Sequence, residues 1–526
     1  MLPYGKAYLR EELDRKVSFE AYDEIYTTVN RFVTLARFED PRFLDRLRLA
    51  QEAGMSAPSE AVTAAVGLIA SSMTAIGFII SLSILSPVLV SAIILSMLPT
   101  ALVEFSLSSQ RAGILHEIAP LRRREFFYRD AISNGRTAKE IRLYGTGDFL
   151  RQRMLEDRQS SDSLQRRFAR RRARFGGTLS LAGAILAGAA LVWAVHGARS
   201  GTLTVGDVSM LIAAVAGVQH AVSELVETAA TAHHSLLVFD HYMSVVDSAP
   251  DVAPPVASRP ITALSHGIEI RDVWFRYSDE GPWVLRGVNL FIPHGRTVGL
   301  VGKNGAGKTT LVKLLCRFHD PTRGAIYWDG TDIRNIAPAE LRRRIGAVFQ
   351  DFTYYDLSAA ENIGIGDVDR IADVPRIRRA ATRAGVHDVI SGLPYGYETL
   401  LTRVFFDQAD KEDPRTGVQL SGGQWQRIAL ARGLMREERD FLILDEPTSG
   451  LDPEAESRVV SELTEHRAGR TSLLITHRLG SIRTSDSIAV LTAGQISEIG
   501  THEELIASRG DYADLFFMQA EGYIGS

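Results

Sequence analysis

Cysteine is almost missing from this chain: Cys316 is the only one in 526 residues. A single thiol forms no internal disulfide, which fits a reducing compartment. An excess of charge is missing too. Lys and Arg total 59 against 63 Asp and Glu, a formal charge of −4, and so small an imbalance gives no electrostatic reason to expect nucleic acid. A secretory leader is not visible, because the first 20 residues mix acids, bases and apolar side chains. The absence with the largest consequence is local. Residues 61–103 contain no Asp, Glu, Lys or Arg at all.

That run is long enough for two membrane spans of about 20 residues each, with Ser86-Pro87 near its middle as a tight external turn. Glu60 and Glu104 bound it. A second run free of these charges, Phe175–Ala198, fits a third span, and Thr204–Glu224, interrupted by Asp207, fits a fourth. The expected spans are about 61–84, 87–107, 175–197 and 205–227. The competing assignment for each is a buried helix of a soluble core, which rarely needs so long an uncharged stretch.

What is abundant is arginine, and it is concentrated between the second and third spans. Residues 105–174 include Arg122-Arg123-Arg124, Arg166-Arg167 and Arg170-Arg171-Arg172. Basic clusters beside a span mark the cytoplasmic side. The stretch lacks the interleaved aromatics of RNA-binding modules, so no nucleic-acid partner is expected. Residues 1–60 are charged and helix-patterned and are expected on the same side. Pro250, Pro254, Pro255 and Pro260 mark a linker over 240–266.

The second half reads as a nucleotide-binding unit. Residues 297–302 form a short apolar strand, followed by Gly302-Lys303-Asn304-Gly305-Ala306-Gly307-Lys308-Thr309 and a helical run from Thr310. The glycines let backbone N–H groups wrap phosphates, Lys308 reaches the β- and γ-phosphates, and the Thr309 hydroxyl suits Mg²⁺. A second apolar strand, Phe441–Leu444, ends in Asp445 and Glu446. Asp445 suits the metal, and Glu446 suits the attacking water. A third strand, Ser472–Thr476, ends at His477. Three strand ends then deliver polar residues to one sheet edge, where ligands bind in such folds. Between the first two strands lies Leu420-Ser421-Gly422-Gly423-Gln424, a polar turn opening onto the apolar helical run Ile428–Leu434. It presents free N–H groups and a positive helix end, a second seat for an anion.

This set of motifs resembles the ABC ATPases, and with spans ahead of it in one chain it resembles an exporter-type half-transporter. The resemblance implies a multi-domain fold: an all-α transmembrane domain over 1–239, then an α/β P-loop domain over 267–526 with a helical subdomain over about 353–436. It implies ATP and Mg²⁺ as cofactors, with Thr310 joining the phosphate loop. Tyr277 would stack on adenine, and Gln350, with Thr309 and Asp445, would sense the metal. Ser421, Gly422, Gly423 and Gln424 would bind the γ-phosphate held by a second subunit. Ser449-Gly450-Leu451-Asp452 looks like the D-loop, which places Asp452 at the nucleotide. Phe38–Phe43 and Lys139–Tyr144 resemble the two intracellular loops that dock on ATPase domains. The pattern, with Trp425 after the signature, is similar to bacterial exporters associated with peptide-type natural products. A bacterial cytoplasmic membrane, a second half-transporter, the lipid bilayer and an unidentified transported substrate are the expected surroundings.

The chain departs from this family in two places. Four spans are counted where a half-transporter normally has six, and residues 1–60 look like the loop between spans two and three; a late start or a truncation is favoured over helices supplied by a partner. The segment before the signature, Thr402–Gly417, is longer and more acidic than usual. The competing functions are a subunit of a heterodimeric exporter and a regulatory ABC protein; intact motifs rank the second lower.

Overall fold

The computed structural model describes residues 2–85, 117–118, 120–135, 137–200, 204–252, 261–402, 417–451, 453–467 and 469–524. The expected span 87–107, the acidic stretch 403–416 and Asp452 lie outside the described residues. The chain separates into two compact units: Met1–Arg31 with Asp40–Ala249, and Phe32–Glu39 with Pro250–Ser526.

The first unit is helical: α1 (Leu2–Asn30), α2 (Pro41–Leu85), α3 (120–133), α4 (Ala138–Tyr144), α5 (Gly147–Arg199) and α6 (Val205–Val246). The charged region 41–60 and the first expected span form one helix. The 45 residues of α2 measure roughly 65–70 Å at the α-helical rise, about twice a bilayer's hydrocarbon core, so its apolar end can span while its charged end stays in water. Among the described residues, Glu60–Ile80 has the length and composition of a span. Val62, Val66, Ile69, Met73, Ile76 and Ile80 are all exposed there. Their alternating spacing of four and three puts them in one stripe. On another face α2 meets α6 so closely that a Cβ on Gly217 would stand 2.4 Å from Phe78 Cζ.

The linker expected from residue 240 begins later. Helix α6 runs to Val246, and Tyr242 and Val245 are buried with Ala21, Ile25, Ala50 and Ala53. The prolines dominate a composition reading, but the apolar repeat Phe239, Tyr242, Val246 sits ahead of them and keeps the chain helical. Residues 32–39 also leave the helical unit: Leu35 N–H donates to Phe318 O at 2.9 Å and Arg342 donates to Val33 O at 2.7 Å.

The second unit contains β1 (Gly267–Phe275), β2 (Leu285–Pro293), β3 (Thr297–Val301), α7 (Lys308–Leu315), β4 (Arg323–Trp328), β5 (Thr331–Asp332), α8 (Pro338–Arg343) and β6 (Ile345–Val348). Helices α9 (Ala359–Gly364), α10 (Val374–Arg383), α11 (His387–Ser391) and α12 (Gly422–Leu434) follow as a cluster. Then come β7 (Phe441–Asp445), α13 (Pro453–Arg467), β8 (Thr471–Ile475), α14 (Leu479–Ile482), β9 (Ser487–Thr492), β10 (Gln495–Gly500), α15 (His502–Ser508) and α16 (Asp511–Ile524).

One sheet has the order β2-β1-β4-β5 and is antiparallel; the other runs β10-β9-β3-β8-β7-β6. In the second sheet β9, β3, β8, β7 and β6 are parallel. Every residue of β3, β7 and β8 is buried, as expected of parallel strands covered on both faces. Leu300 and Asp445 both register with Ile475, so the three central strands end level.

Candidate nucleotide site

That level edge positions the site. After β3 the chain turns through residues 302–307 and enters α7 directly at Lys308. Gly307 permits the turn, with φ +108°; a Cβ there would stand 2.7 Å from Leu285 Cδ2. Lys308 is buried, and its ammonium donates to Gly302 O at 2.6 Å and Lys303 O at 3.1 Å, which folds it across its own loop. Lys303, Asn304, Gly305 and Thr309 are exposed, while Ala306 and Thr310 are buried. The loop thus offers backbone N–H groups and a hydroxyl at a helix start, a seat for phosphate.

Asp445 and Glu446 are buried at the end of β7. Burial pushes the Asp445 carboxyl up to about 6, against the pull of Lys308. Burial, with the Asp445 charge beside it, pushes Glu446 up to about 7; the His477 N–H, Lys308 and Arg478 act the other way. Burial lowers the Lys308 ammonium, and the two carboxylates oppose this. The three groups therefore share one poorly solvated region. Glu446 also takes the left-handed backbone region, φ +52°, uncommon outside glycine. There the chain leaves the strand, so neighbouring carboxylates need not share one direction. The Glu446 N–H still bonds to Ile475 O at 2.9 Å, which ties the turn to β8.

His477 follows β8 and is partly exposed; its Nε2 stands 3.1 Å from Glu446 Oε1. Burial, then the Lys308 charge, lowers the imidazole and favours its neutral form. Gln350 is exposed two residues beyond β6. Tyr277 is 49% exposed, its ring perpendicular to Phe275 at 4.9 Å and its hydroxyl 3.1 Å from Thr310 Oγ1.

The signature stretch differs from its sequence reading in one respect. Helix α12 begins at Gly422, six residues before Ile428, and the glycines occupy its first turn. The cause is a capping box: Ser421 Oγ accepts from Gln424 N–H at 3.3 Å, and Gln424 Oε1 accepts from Ser421 N–H at 2.8 Å. Ser421 and Gly422 remain exposed. Among the described residues, no hydrogen bond or ion pair joins 421–424 to the loop 302–309. The fold therefore gathers Lys308, Asp445, Glu446 and His477 at one edge and leaves the signature turn outside that group.

Gln426 was not singled out in the sequence. It is buried, and its amide donates to Glu446 O at 2.9 Å and Ser449 Oγ at 3.3 Å. A polar residue between Trp425 and the apolar run of α12 was the available signal, and pairing was the available inference. Lys313 and His319, which flank Tyr277, were also missed, as was their pairing with Glu39 of the 38–43 stretch.

A glycine-rich loop between a buried strand and a helix, with acids at the end of the next strand but one, defines a P-loop nucleotide-binding domain. Residues 285–449 match the ABC transporter family. The chain is similar to the ATP-dependent lipid A-core flippase of Syntrophus aciditrophicus, 38% identical over 61% of this chain and 50% of the relative. It is also similar to ABC transporter B family member 19 of Arabidopsis thaliana, 40% identical over 53% of this chain and 21% of the relative. A solved structure of a bacterial Atm1-family ABC exporter with ATP bound superposes with TM-score 0.83 at 24% identity, over 97% of this chain and 86% of that one. Residues 285–449 thus carry an ABC transporter ATP-binding domain, and the whole chain is similar to exporter-type half-transporters, with a helical unit and that domain on one polypeptide. The chain spans about half the length of the bacterial flippases it matches.

Proposed function

We propose that this chain is one half of an ATP-driven exporter in the bacterial cytoplasmic membrane, and that two ATP-binding domains close around two ATP molecules. The observation that carries this reading is the division of the site: Lys308, Asp445, Glu446 and His477 cluster at one sheet edge, while among the described residues the capped, exposed turn 421–424 makes no hydrogen bond or ion pair to the loop 302–309. Helix α4 supports the same reading. It contains no buried residue, and Leu143 and Tyr144 are 76% and 71% exposed, which suits docking on a second subunit.

In this reading the 302–309 backbone and Lys308 hold the phosphates, and Tyr277 stacks on the base. Thr309 and Asp445 offer hard oxygen donors of the kind Mg²⁺ takes, and the Gln350 amide oxygen offers a third; the ion would neutralise charge on the phosphates. Glu446 accepts the proton of the attacking water, for which a carboxyl raised to about 7 is suited. His477 orients Glu446 and contacts the γ-phosphate. Ser421 and Gly423, with Gly422, Gln424 and Asp452, complete the partner's site. ATP binding favours the closed dimer, and hydrolysis resets it.

The relatives named as lipid A-core flippases make an amphipathic lipid the first substrate class to test, ahead of peptides. The test is ATP hydrolysis by the full chain in nanodiscs. Cooperative turnover, stimulated by one class of a lipid and peptide panel, is expected; a detergent-free soluble protein, or turnover independent of protein concentration at dilution, overturns the dimeric exporter.

A further inference from the structure

We propose that Glu39 is a positioning residue for the nucleotide base, joining the segment 32–39 to Tyr277 through Lys313 and His319. The proposal rests on the reading that Tyr277 stacks on the base.

The two oxygens of one carboxylate serve two different residues. Glu39 Oε1 accepts from Lys313 Nζ at 2.6 Å, and Glu39 Oε2 lies 3.0 Å from His319 Nε2. Both partners flank the tyrosine. The His319 ring meets Tyr277 edge-on, with centroids 5.5 Å apart at 87°, and Lys313 Nζ is 5.3 Å from the Tyr277 centroid. His319 is buried, and it also packs on Phe275 at 5.3 Å. Phe275, His319 and Thr310 thus hold one side of Tyr277, while about half its surface stays open to receive a planar base.

Glu39 is itself held. Its N–H bonds to Leu35 O at 2.9 Å, and Leu35 N–H bonds to the carbonyl of Phe318, the residue beside His319. Asp251 accepts from Val33 N–H at 2.8 Å and Thr34 N–H at 2.7 Å. The segment is therefore fixed at residues 33–35, just ahead of Glu39. Removing the carboxylate frees the Lys313 ammonium and unpins the imidazole against which Tyr277 rests. By reciprocity, a base stacked on Tyr277 stabilises the seated position of 32–39 by as much as that position strengthens stacking.

The experiment compares KM and kcat for ATP and CTP, whose smaller base stacks less, using the full chain in nanodiscs. Glu39→Ala is expected to raise KM for ATP about three- to tenfold, the size of an aromatic or cation–π contribution, with kcat and the KM for CTP within about twofold of wild type. Glu39→Asp restores most of the loss. In a Tyr277→Ala background Glu39→Ala adds nothing, as expected for residues acting through one another. Glu39→Gln keeps the volume without the charge and gives the same split if Glu39→Ala does not fold. An unchanged KM for ATP, an equal loss for both nucleotides, or an undiminished effect in the Tyr277→Ala background overturns the proposal. Wild-type protein that hydrolyses no ATP overturns the proposed function instead.

Discussion

His477 Nε2 stands 3.1 Å from Glu446 Oε1, although 31 positions separate the two in sequence. Strands β7 and β8 are parallel neighbours in register, so residues just past their ends meet. The contact places a near-neutral imidazole on a carboxyl raised to about 7.

Glu446→Gln should bind ATP and lose at least ~100-fold in turnover, since the base is gone while the phosphate contacts remain. Phosphate release and nucleotide binding measured on one preparation check it. The same variant should melt higher than wild type without nucleotide at pH 8. The folded carboxyl titrates above its unfolded value, so burying its charge costs stability above about pH 7; the cost fades toward the ordinary value of 4.5. A melting difference that does not shrink on acidification would contradict the assignment.

Lys308→Ala should weaken ATP binding itself by ~10-fold or more, because the lysine provides a charge-assisted contact. Titration with a fluorescent ATP analogue measures it. Unchanged affinity with reduced turnover would move Lys308 from binding to chemistry alone.

Ser421→Ala removes the N-cap of α12 and should cost about 1 kcal/mol of stability. Turnover should fall further than that loss explains, because the hydroxyl is also assigned to the partner's phosphate. Denaturant melts alongside ATPase assays separate the two; a loss of turnover no larger than the stability effect leaves Ser421 as a cap only.

Gln426→Leu deletes the donor to Glu446 O while roughly keeping volume. It should lower kcat about tenfold with KM for ATP nearly unchanged, because it loosens the turn carrying Glu446 without touching the phosphate loop. Steady-state kinetics decide it; a matching rise in KM would place Gln426 in binding.

Asp329 accepts N–H bonds from Ser265, His266 and Gly267 at 2.8–2.9 Å and fixes the start of β1. Burial alone would raise its carboxyl, but these bonds outweigh burial and hold it below 3.8. A depressed carboxyl stabilises above its unfolded value and loses that contribution as pH falls through the folded one. Asp329→Asn should therefore lower the melting temperature at pH 7, and the gap to wild type should narrow below about pH 4. Melts across pH 3–7 read it directly.

Much of the ATP-binding domain was legible because its signals are local. The strand 297–301, the glycines of 302–307 and the acids after 441–444 sit in short stretches whose order fixes strand, turn and helix. The start of α12 was misplaced because glycines read as a turn, whereas the Ser421–Gln424 capping box carries the helix through them. The linker was placed too early because proline content outweighed a short apolar repeat. Gln426 and the pairing of Glu39 were missed because the partners lie 20 and 274 or more positions away, and nothing local reports such pairs.

By itself, the sequence determined that apolar, uncharged runs precede a strand, a glycine-rich loop and a helix, since each motif is a few adjacent residues with a fixed backbone demand. The tertiary structure alone decided which groups share a space. Parallel pairing of β3, β8 and β7 makes their ends level, which sets Lys308 beside Asp445 and Glu446, raises both carboxyls through burial, and puts His477 on Glu446. It also seats 32–39 against Phe318, so that one carboxylate meets both residues that flank Tyr277.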